Sequence, residues 1–198
     1  LTLALEIGFG IRWEIIPIVL FCLFGVWFAV TQTQDLFLHR KGTKRMQEVA
    51  FWIQQGSNGF FKTQYRSIAI IATLVSGILF LGFLFRPLPK NKFKEVTSLT
   101  YAITTTVSFL IGCLCSCIAG YIGLWISINT NLRVAAAAKE SYKRSIKVAM
   151  QGGIVAAIVV VTLVVSGIVT LLGLFHLLPF KGINVIPSML VGYGFGAS

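Results

Sequence analysis

The acidic residues of this chain are too few and too scattered to form a hydrolytic centre. Its 198 residues include only six Asp and Glu, and these are Glu6, Glu14, Asp35, Glu48, Glu95 and Glu140. No two of them stand three or four positions apart, which is the spacing that brings side chains together on one helix face. A carboxylate dyad for acid–base catalysis, or a multi-metal phosphate site, therefore cannot be built from these residues alone.

The cysteines and histidines do not follow a metal-binding pattern either. Cys113, Cys115 and Cys117 alternate along an apolar helix, so successive side chains diverge by about 200°. His39 and His176 lie at the edges of two apolar stretches, on opposite predicted sides of the membrane. We interpret the cysteines as small packing residues and the histidines as interfacial side chains.

Two glycine clusters invite comparison with phosphate-binding loops. One is the alternating series Gly192, Gly194 and Gly196, and the other contains Gly56 and Gly59. Neither cluster meets the dinucleotide-binding pattern or the phosphate-loop pattern, and no predicted strand precedes them. We therefore interpret both as close-packing or turn glycines.

Asn131 and Arg133 are the strongest polar candidates for a functional role. They end a long apolar stretch at the point where it leaves the membrane, and a cytosolic site could lie there. Two interpretations stay open from the residues alone. The pair shapes the rim of a cytosolic site, or it serves as a helix-end cap and an interface anchor.

The elements that carry these residues are membrane-spanning helices. Hydrophobic residues make up 56% of the chain and charged residues only 12%, against about 25% charged residues in soluble domains. Four apolar stretches are long enough to cross a bilayer. They are 14–38, 67–85, 99–130 and 146–178, and a fifth begins at 186 and reaches 198. We predict an all-α transmembrane fold, a polytopic helix bundle that forms part of one membrane domain.

The third stretch is predicted to project beyond the bilayer. Its apolar part alone measures about 45 Å at 1.5 Å per residue. The alanine run 135–138 has high helix propensity and extends the predicted helix to about residue 138.

The basic residues predict the orientation of the spans. The chain carries 17 Lys and Arg against six acidic residues, a net charge of +11. Eleven of these basic residues flank the loops between spans one and two and between spans three and four, and six lie on the other side. The positive-inside rule places the more basic side in the cytosol. It also accounts for the charge without a nucleic-acid partner.

Small residues predict where the spans pack against neighbouring helices. In span three Gly112, Ser116 and Gly120 recur every four residues, and Gly123 lies beside them. Gly153 belongs to a similar series in span four. Faces of this kind let membrane helices approach closely, so we predict that these residues line helix contacts.

The segment 46–66 precedes the second span. It mixes apolar, aromatic, basic and amide side chains, which predicts an amphipathic helix lying along the membrane surface. We expect the chain to turn at Tyr65 and Arg66 before it enters the bilayer.

Several stretches in order resemble one family of ion pumps. Residues 53–66 read Ile-Gln-Gln-Gly-Ser-Asn-Gly-Phe-Phe-Lys-Thr-Gln-Tyr-Arg. The others are the run from 108 to 133 with Gly120-Tyr121-Ile122-Gly123 and Asn131-Leu132-Arg133, then 149–153 (Ala-Met-Gln-Gly-Gly) and 192–198 (Gly-Tyr-Gly-Phe-Gly-Ala-Ser). Together they are similar to segments of the membrane-integral inorganic pyrophosphatases, which hydrolyse pyrophosphate and pump protons or sodium ions.

This resemblance implies a helix bundle of roughly sixteen helices in two rings, working as a homodimer. The present residues correspond to its N-terminal part, which supplies scaffold helices. The resemblance also implies a bilayer, a pyrophosphate substrate, Mg²⁺ and a K⁺ requirement in part of the family. It further implies that the membrane is a vacuolar or acidocalcisome-type endomembrane or a prokaryotic plasma membrane. The family's Asp-rich and Lys-rich catalytic motifs do not occur here, so we assign no catalytic, cofactor-binding or metal-binding residue.

Two other classes of protein remain as alternatives. A non-enzymatic membrane subunit or small channel would use these helices as most of its fold. A secondary transporter would show inverted repeats of short, broken helices, and no clear internal repeat relates the two halves of this sequence.

Overall fold

The structure is a computed structural model that describes residues 2–85, 97–177 and 186–198, with side chains for 15–85, 97–175 and 190–198. These residues form α1 (Thr2–Leu38), α2 (Lys44–Phe85), α3 (Ser98–Ala138), α4 (Tyr142–Leu177) and α5 (Ile186–Ala197). Four described segments are long and apolar enough to cross a membrane, namely Ile15–Leu38, Lys44–Phe85, Ser98–Ala138 and Tyr142–Phe175. The predicted all-α, polytopic fold class is confirmed.

Helix α1 begins earlier than the predicted span, whereas α3 ends where the sequence predicts. Helix α1 begins at Thr2, well before residue 14, and it contains Pro17 in its interior. Helix α3 continues through the alanine run to Ala138, as the helix propensity of alanine predicts. Asn131 and Arg133 therefore lie inside the last turns of α3, and they do not end the helix.

The expected turn at Tyr65 and Arg66 is wrong. Helix α2 runs without interruption from Lys44 to Phe85, so the segment 46–66 is the first part of the same helix and not a separate surface helix. Gly56 and Gly59 lie inside α2, so they are not turn glycines either. No proline interrupts this sequence, and each residue can continue the backbone hydrogen-bond ladder.

One compact unit comprises the described parts of residues 1–62 and 119–163. Its core contains residues from α1, α3 and α4, namely Leu36, Ile126, Ala137, Val148 and Val155. Two close approaches join its helices. A Cβ added at Gly152 would collide with the Thr130 side chain, and one added at Gly25 would lie 2.6 Å from Thr162 Oγ1.

The second compact unit comprises the described parts of residues 63–118 and 164–198. Its core contains Tyr101, Leu171, Phe175 and Tyr193. The Tyr193 hydroxyl donates a hydrogen bond to the Val164 carbonyl oxygen at 3.0 Å, and Tyr65 Oη donates one to the Cys117 carbonyl oxygen at 2.7 Å. Each phenol thus finds a hydrogen-bond acceptor in otherwise apolar surroundings.

Helices α3 and α5 approach each other closely within this unit. A Cβ added at Gly192 would meet the Thr105 carbonyl oxygen, and one added at Gly196 would meet the Phe109 carbonyl oxygen. In the opposite direction, a Cβ added at Gly112 of α3 would meet the Tyr193 carbonyl oxygen of α5. The interpretation of Gly192 and Gly196 as close-packing glycines is confirmed.

Helix α2 contributes no buried residue to either core. Large apolar side chains such as Ile71, Leu74 and Ile78 are at least 60% exposed. Apolar side chains in this number on the outside of a helix suit contact with lipid or with further helices, because water would penalise them.

Candidate functional site at the basic end of helix α3

Arg133 is buried near the end of α3, with only 1% of its surface exposed. Its Nη1 donates a hydrogen bond to the carbonyl oxygen of Asn129, one turn earlier, at 2.8 Å. Its guanidinium carbon lies 4.3 Å from the centroid of the Phe37 ring in α1, which is within the range of a cation–π interaction. Arg133 therefore joins the end of α3 to α1.

An aromatic pair supports this contact. The Phe37 ring lies 5.4 Å from the Trp125 ring, measured between centroids. Trp125, Asn129 and Arg133 follow one another at four-residue spacing, so they share one face of α3. Asn129 Nδ2 donates to the Trp125 carbonyl oxygen at 2.9 Å. Trp125, Asn129 and Arg133 thus form a row along this face of α3, and the row ends at the buried guanidinium.

The guanidinium is not fully satisfied by the described residues. Nε and Nη2 of Arg133 are buried, and neither has a hydrogen-bond partner among these residues. A buried charged donor without a partner loses its hydration and gains little in return. A buried arginine with two nitrogen donors that these residues leave unpaired is thus an unusual feature at a contact between two helices.

A small cavity of about 10 Å³ adjoins this guanidinium. Its lining combines three arginines with one carboxylate and consists of His39, Arg40, Arg133, Ala136, Ala137, Glu140 and Arg144. Glu140 forms an ion pair with Arg144, and its Oε1 lies 3.9 Å from Arg40 Nη1. The single carboxylate is therefore directed at the two exposed arginines. The three arginines outnumber the carboxylate, so the cavity lining is positively charged.

Asn131 lies on a different face of α3 from Arg133. It is exposed, and it lines an apolar cavity of about 330 Å³ together with Arg45, Met46, Val49, Ala50, Ile53, Ile128, Leu132 and Ala135. Two positions along a helix turn a side chain by about 200°. The two residues that the sequence grouped together are therefore not brought together. Arg133 is buried and Asn131 is exposed, so the two side chains lie in different environments.

The small residues predicted to line helix contacts fall into different environments. Gly112 is buried against α5. Ser116, Gly120 and Gly153 are exposed among the described residues, and a Cβ at Gly123 or Gly153 would meet no atom within 4 Å. Contacts at these four positions stay a prediction for the remainder of the bundle.

Two contacts between helices were not predicted from the sequence. Gly152, next to the predicted Gly153, is the residue of α4 that approaches Thr130 of α3. Gln151 Nε2 donates to Gln32 Oε1 at 3.2 Å, which links α4 to α1. Glutamines within two apolar spans were the available signal, because amide side chains in membrane helices tend to bond across helices.

Metal ligands were also sought. Among residues 15–85, 97–175 and 190–198, no three His, Cys, Asp or Glu residues come together in a group that could hold a metal ion. Cys113, Cys115 and Cys117 have free thiols along α3. The donor set of these residues does not fit a magnesium centre, since Mg²⁺ takes oxygen ligands, chiefly carboxylates and phosphates.

Comparison with known proteins agrees with the resemblance in the sequence. The family model described as inorganic H⁺ pyrophosphatase matches residues 23–198. The chain is 34% identical over 101 residues to "Pyrophosphate-energized membrane proton pump 3" of Arabidopsis thaliana, covering 48% of this chain and 13% of that protein. It is 35% identical over 54 residues to "K(+)-insensitive pyrophosphate-energized proton pump" of Methanosarcina mazei, covering 27% of this chain and 8% of that protein.

The aligned stretches thus span only a small part of the length of these relatives. The family match nevertheless covers most of the chain, and four described helices are able to cross a bilayer. This chain is an integral, multi-pass membrane protein that belongs to the inorganic H⁺ pyrophosphatase family.

Proposed function

We propose that the whole protein hydrolyses inorganic pyrophosphate and uses the reaction to move protons across its membrane. The observation that carries this proposal is the family match over residues 23–198, which includes all five helices in whole or in part. Both relatives described above bear names of pyrophosphate-energized proton pumps. These names favour protons over sodium as the transported ion.

We infer that the residues of this chain act as scaffold. The support is their chemistry, since the described helices contact one another through apolar side chains, glycines and hydroxyls. The reaction requires groups that bind and activate a charged substrate. We place the magnesium ligands and the catalytic carboxylates in parts of the protein outside these residues. The homodimer, the identity of the membrane and any response to K⁺ belong to the same proposal.

Arg133 is proposed to organise the cytosolic end of this scaffold. The support is its burial and its contact with Phe37, which fix the ends of α3 and α1 relative to each other. We assign it a positioning role, because its observed contacts are with Asn129 and Phe37 of the scaffold itself. Replacing it is therefore expected to change catalysis through the arrangement of the cytosolic end.

Reconstitution of the full-length protein into sealed liposomes tests the main proposal. Addition of magnesium pyrophosphate to the outside is expected to release phosphate and to acidify the lumen, and a protonophore should collapse the gradient while leaving hydrolysis intact. Assays with and without Na⁺ and K⁺ identify the ion that is moved and any activator. A folded protein that does not hydrolyse pyrophosphate would contradict the proposal, as would hydrolysis with no ion gradient.

The positioning role is tested with Arg133→Ala, Arg133→Lys and Arg45→Gln in the same liposomes. We expect Arg133→Ala to lower kcat or to raise the KM for pyrophosphate, and Arg133→Lys to recover part of the loss. Arg45→Gln is the matched control, because Arg45 is an exposed arginine that lines the other cavity. Unchanged kinetics and expression in Arg133→Ala would remove Arg133 from this role.

A further inference from the structure

We propose that the cavity beside Arg133 is a binding site for a phosphate oxyanion, with one phosphate oxygen received by the Arg133 guanidinium. This inference does not depend on the pump activity. It rests on the arrangement of charge, burial and space at the end of α3 and at the neighbouring ends of α1 and α4.

The first argument is the unmet hydrogen-bonding capacity of Arg133. A guanidinium offers five N–H donors in a planar fork that matches two oxygens of a phosphate. One donor group, Nη1, is used by the Asn129 carbonyl oxygen. Nε and Nη2 have no partner among the described residues, although the side chain is 99% buried and lines the cavity. An acceptor that enters the cavity would satisfy them.

The second argument is the sign of the charge around the cavity. Arg40, Arg133 and Arg144 line it, and Glu140 is the one carboxylate among the described lining residues. Because Glu140 already pairs with Arg144 and approaches Arg40, its charge does not compensate the buried Arg133. A lining with two net positive charges favours an anion over a neutral ligand. Neutral water would leave the buried charge unbalanced.

The third argument is size and access. A volume of about 10 Å³ admits roughly one water-sized group, so it receives one oxygen and not a whole phosphate ion. The side chains of Arg40 and Arg144 are 86% and 52% exposed. They are positioned at the outer lining, where charge-assisted hydrogen bonds to the remaining oxygens can form. The site therefore suits a phosphate that approaches from the basic, solvent-facing end.

Free phosphate and the phosphate of an anionic lipid present the same oxyanion, and binding measurements separate these two sources. For free phosphate, ³²P-orthophosphate binding to the purified full-length protein is measured by equilibrium dialysis at constant ionic strength. For lipid, the protein is placed in nanodiscs of phosphatidylcholine with or without phosphatidic acid, and retained lipids are counted by native mass spectrometry. Both measurements are made without pyrophosphate.

The wild-type protein is compared with Arg133→Gln, and the same measurement on Arg40→Gln and Arg144→Gln separates this site from phosphate bound at a catalytic centre, because these two cavity residues are not proposed to position that centre. We expect wild type to bind one more phosphate, or to retain one more phosphatidic acid, than Arg133→Gln. Affinity for that ligand should fall about tenfold to a hundredfold, since hydrogen bonds to charged groups are the strong ones. Arg45→Gln should behave as wild type.

Substitution of the two exposed arginines provides a second test in case Arg133→Gln does not fold. Arg40→Gln and Arg144→Gln alter exposed residues, and each is expected to weaken binding about two- to fivefold. The proposal is overturned if no variant changes the bound phosphate or lipid. It is equally overturned if Arg45→Gln has the same effect, or if a high-resolution density map of the full-length protein shows only water, or a carboxylate of the protein itself, on Arg133.

Discussion

The guanidinium carbon of Arg133 lies 4.3 Å from the centre of the Phe37 ring. This contact pairs the buried charge of α3 with an aromatic face of α1, and it is backed by Trp125. A cation held against an aromatic ring in a place that water does not reach is attracted by about 2 kcal/mol. The pair is thus a specific connection between two elements that lie far apart in the sequence.

Replacement of Phe37 with leucine should therefore weaken the end of α1. The leucine keeps apolar volume but removes the aromatic face, so we expect a loss of about 1–2 kcal/mol in the free energy of unfolding. Thermal unfolding of the full-length protein in detergent measures it. Phe51→Leu is the control, because Phe51 is 53% exposed on α2. Equal destabilisation by both changes would argue against a specific role for the contact.

The seam between α3 and α5 should not tolerate a side chain at Gly192. A methyl group there would meet the Thr105 carbonyl oxygen, and backbone atoms cannot move aside as a flexible side chain does. We expect Gly192→Ala to reduce the yield of folded protein in membranes strongly. Size-exclusion profiles of the solubilised protein report the folded fraction.

Gly194 supplies the matched control for this seam. It lies on the same short helix, but a Cβ at this position would meet no atom within 4 Å. Gly194→Ala should be neutral, or stabilising by up to about 1 kcal/mol through helix propensity. If the two variants lose the same amount of folded protein, the close approach of α3 and α5 is not the reason.

Two substitutions at Gly56 test the continuity of α2. Gly56 lies within the helix, and a Cβ there would meet no atom within 4 Å. In an uninterrupted helix Gly56→Ala should stabilise by about 0.5–1 kcal/mol, whereas Gly56→Pro should destabilise by about 3 kcal/mol. Thermal unfolding distinguishes them. A turn at this position would instead accept proline at little cost.

The amide pair between α1 and α4 is open to a double-mutant cycle. Gln151 Nε2 donates to Gln32 Oε1 at 3.2 Å, and bonds of this kind between membrane helices contribute about 0.6 kcal/mol on average and at most about 2 kcal/mol. Gln32→Leu and Gln151→Leu should each destabilise, and the double variant should lose less than their sum. Strict additivity would mean that the two amides do not interact.

The sequence alone was sufficient for the fold class and the family of this protein. Apolar composition and stretch length decide that a chain resides in lipid, and both can be counted without any contact. The extension of α3 to Ala138 followed from local propensity for the same reason. The separate surface helix at 46–66 was a wrong prediction, because amphipathicity does not show where a helix is interrupted.

The faces on which the helices meet were decided only by the tertiary structure. In a membrane helix nearly every side is apolar, so hydrophobicity does not separate a face that contacts lipid from one that contacts another helix. The contact with Thr130 uses Gly152, which the sequence analysis did not single out, whereas contact at Gly153 stays a prediction. Likewise, Arg133 and Asn131 looked like one site, but the structure buries Arg133 beside one cavity and leaves Asn131 exposed at another. Arg133 contacts Phe37 of α1 and adjoins a cavity that is also lined by Glu140, from the turn before α4. Only folding brings these residues to one place.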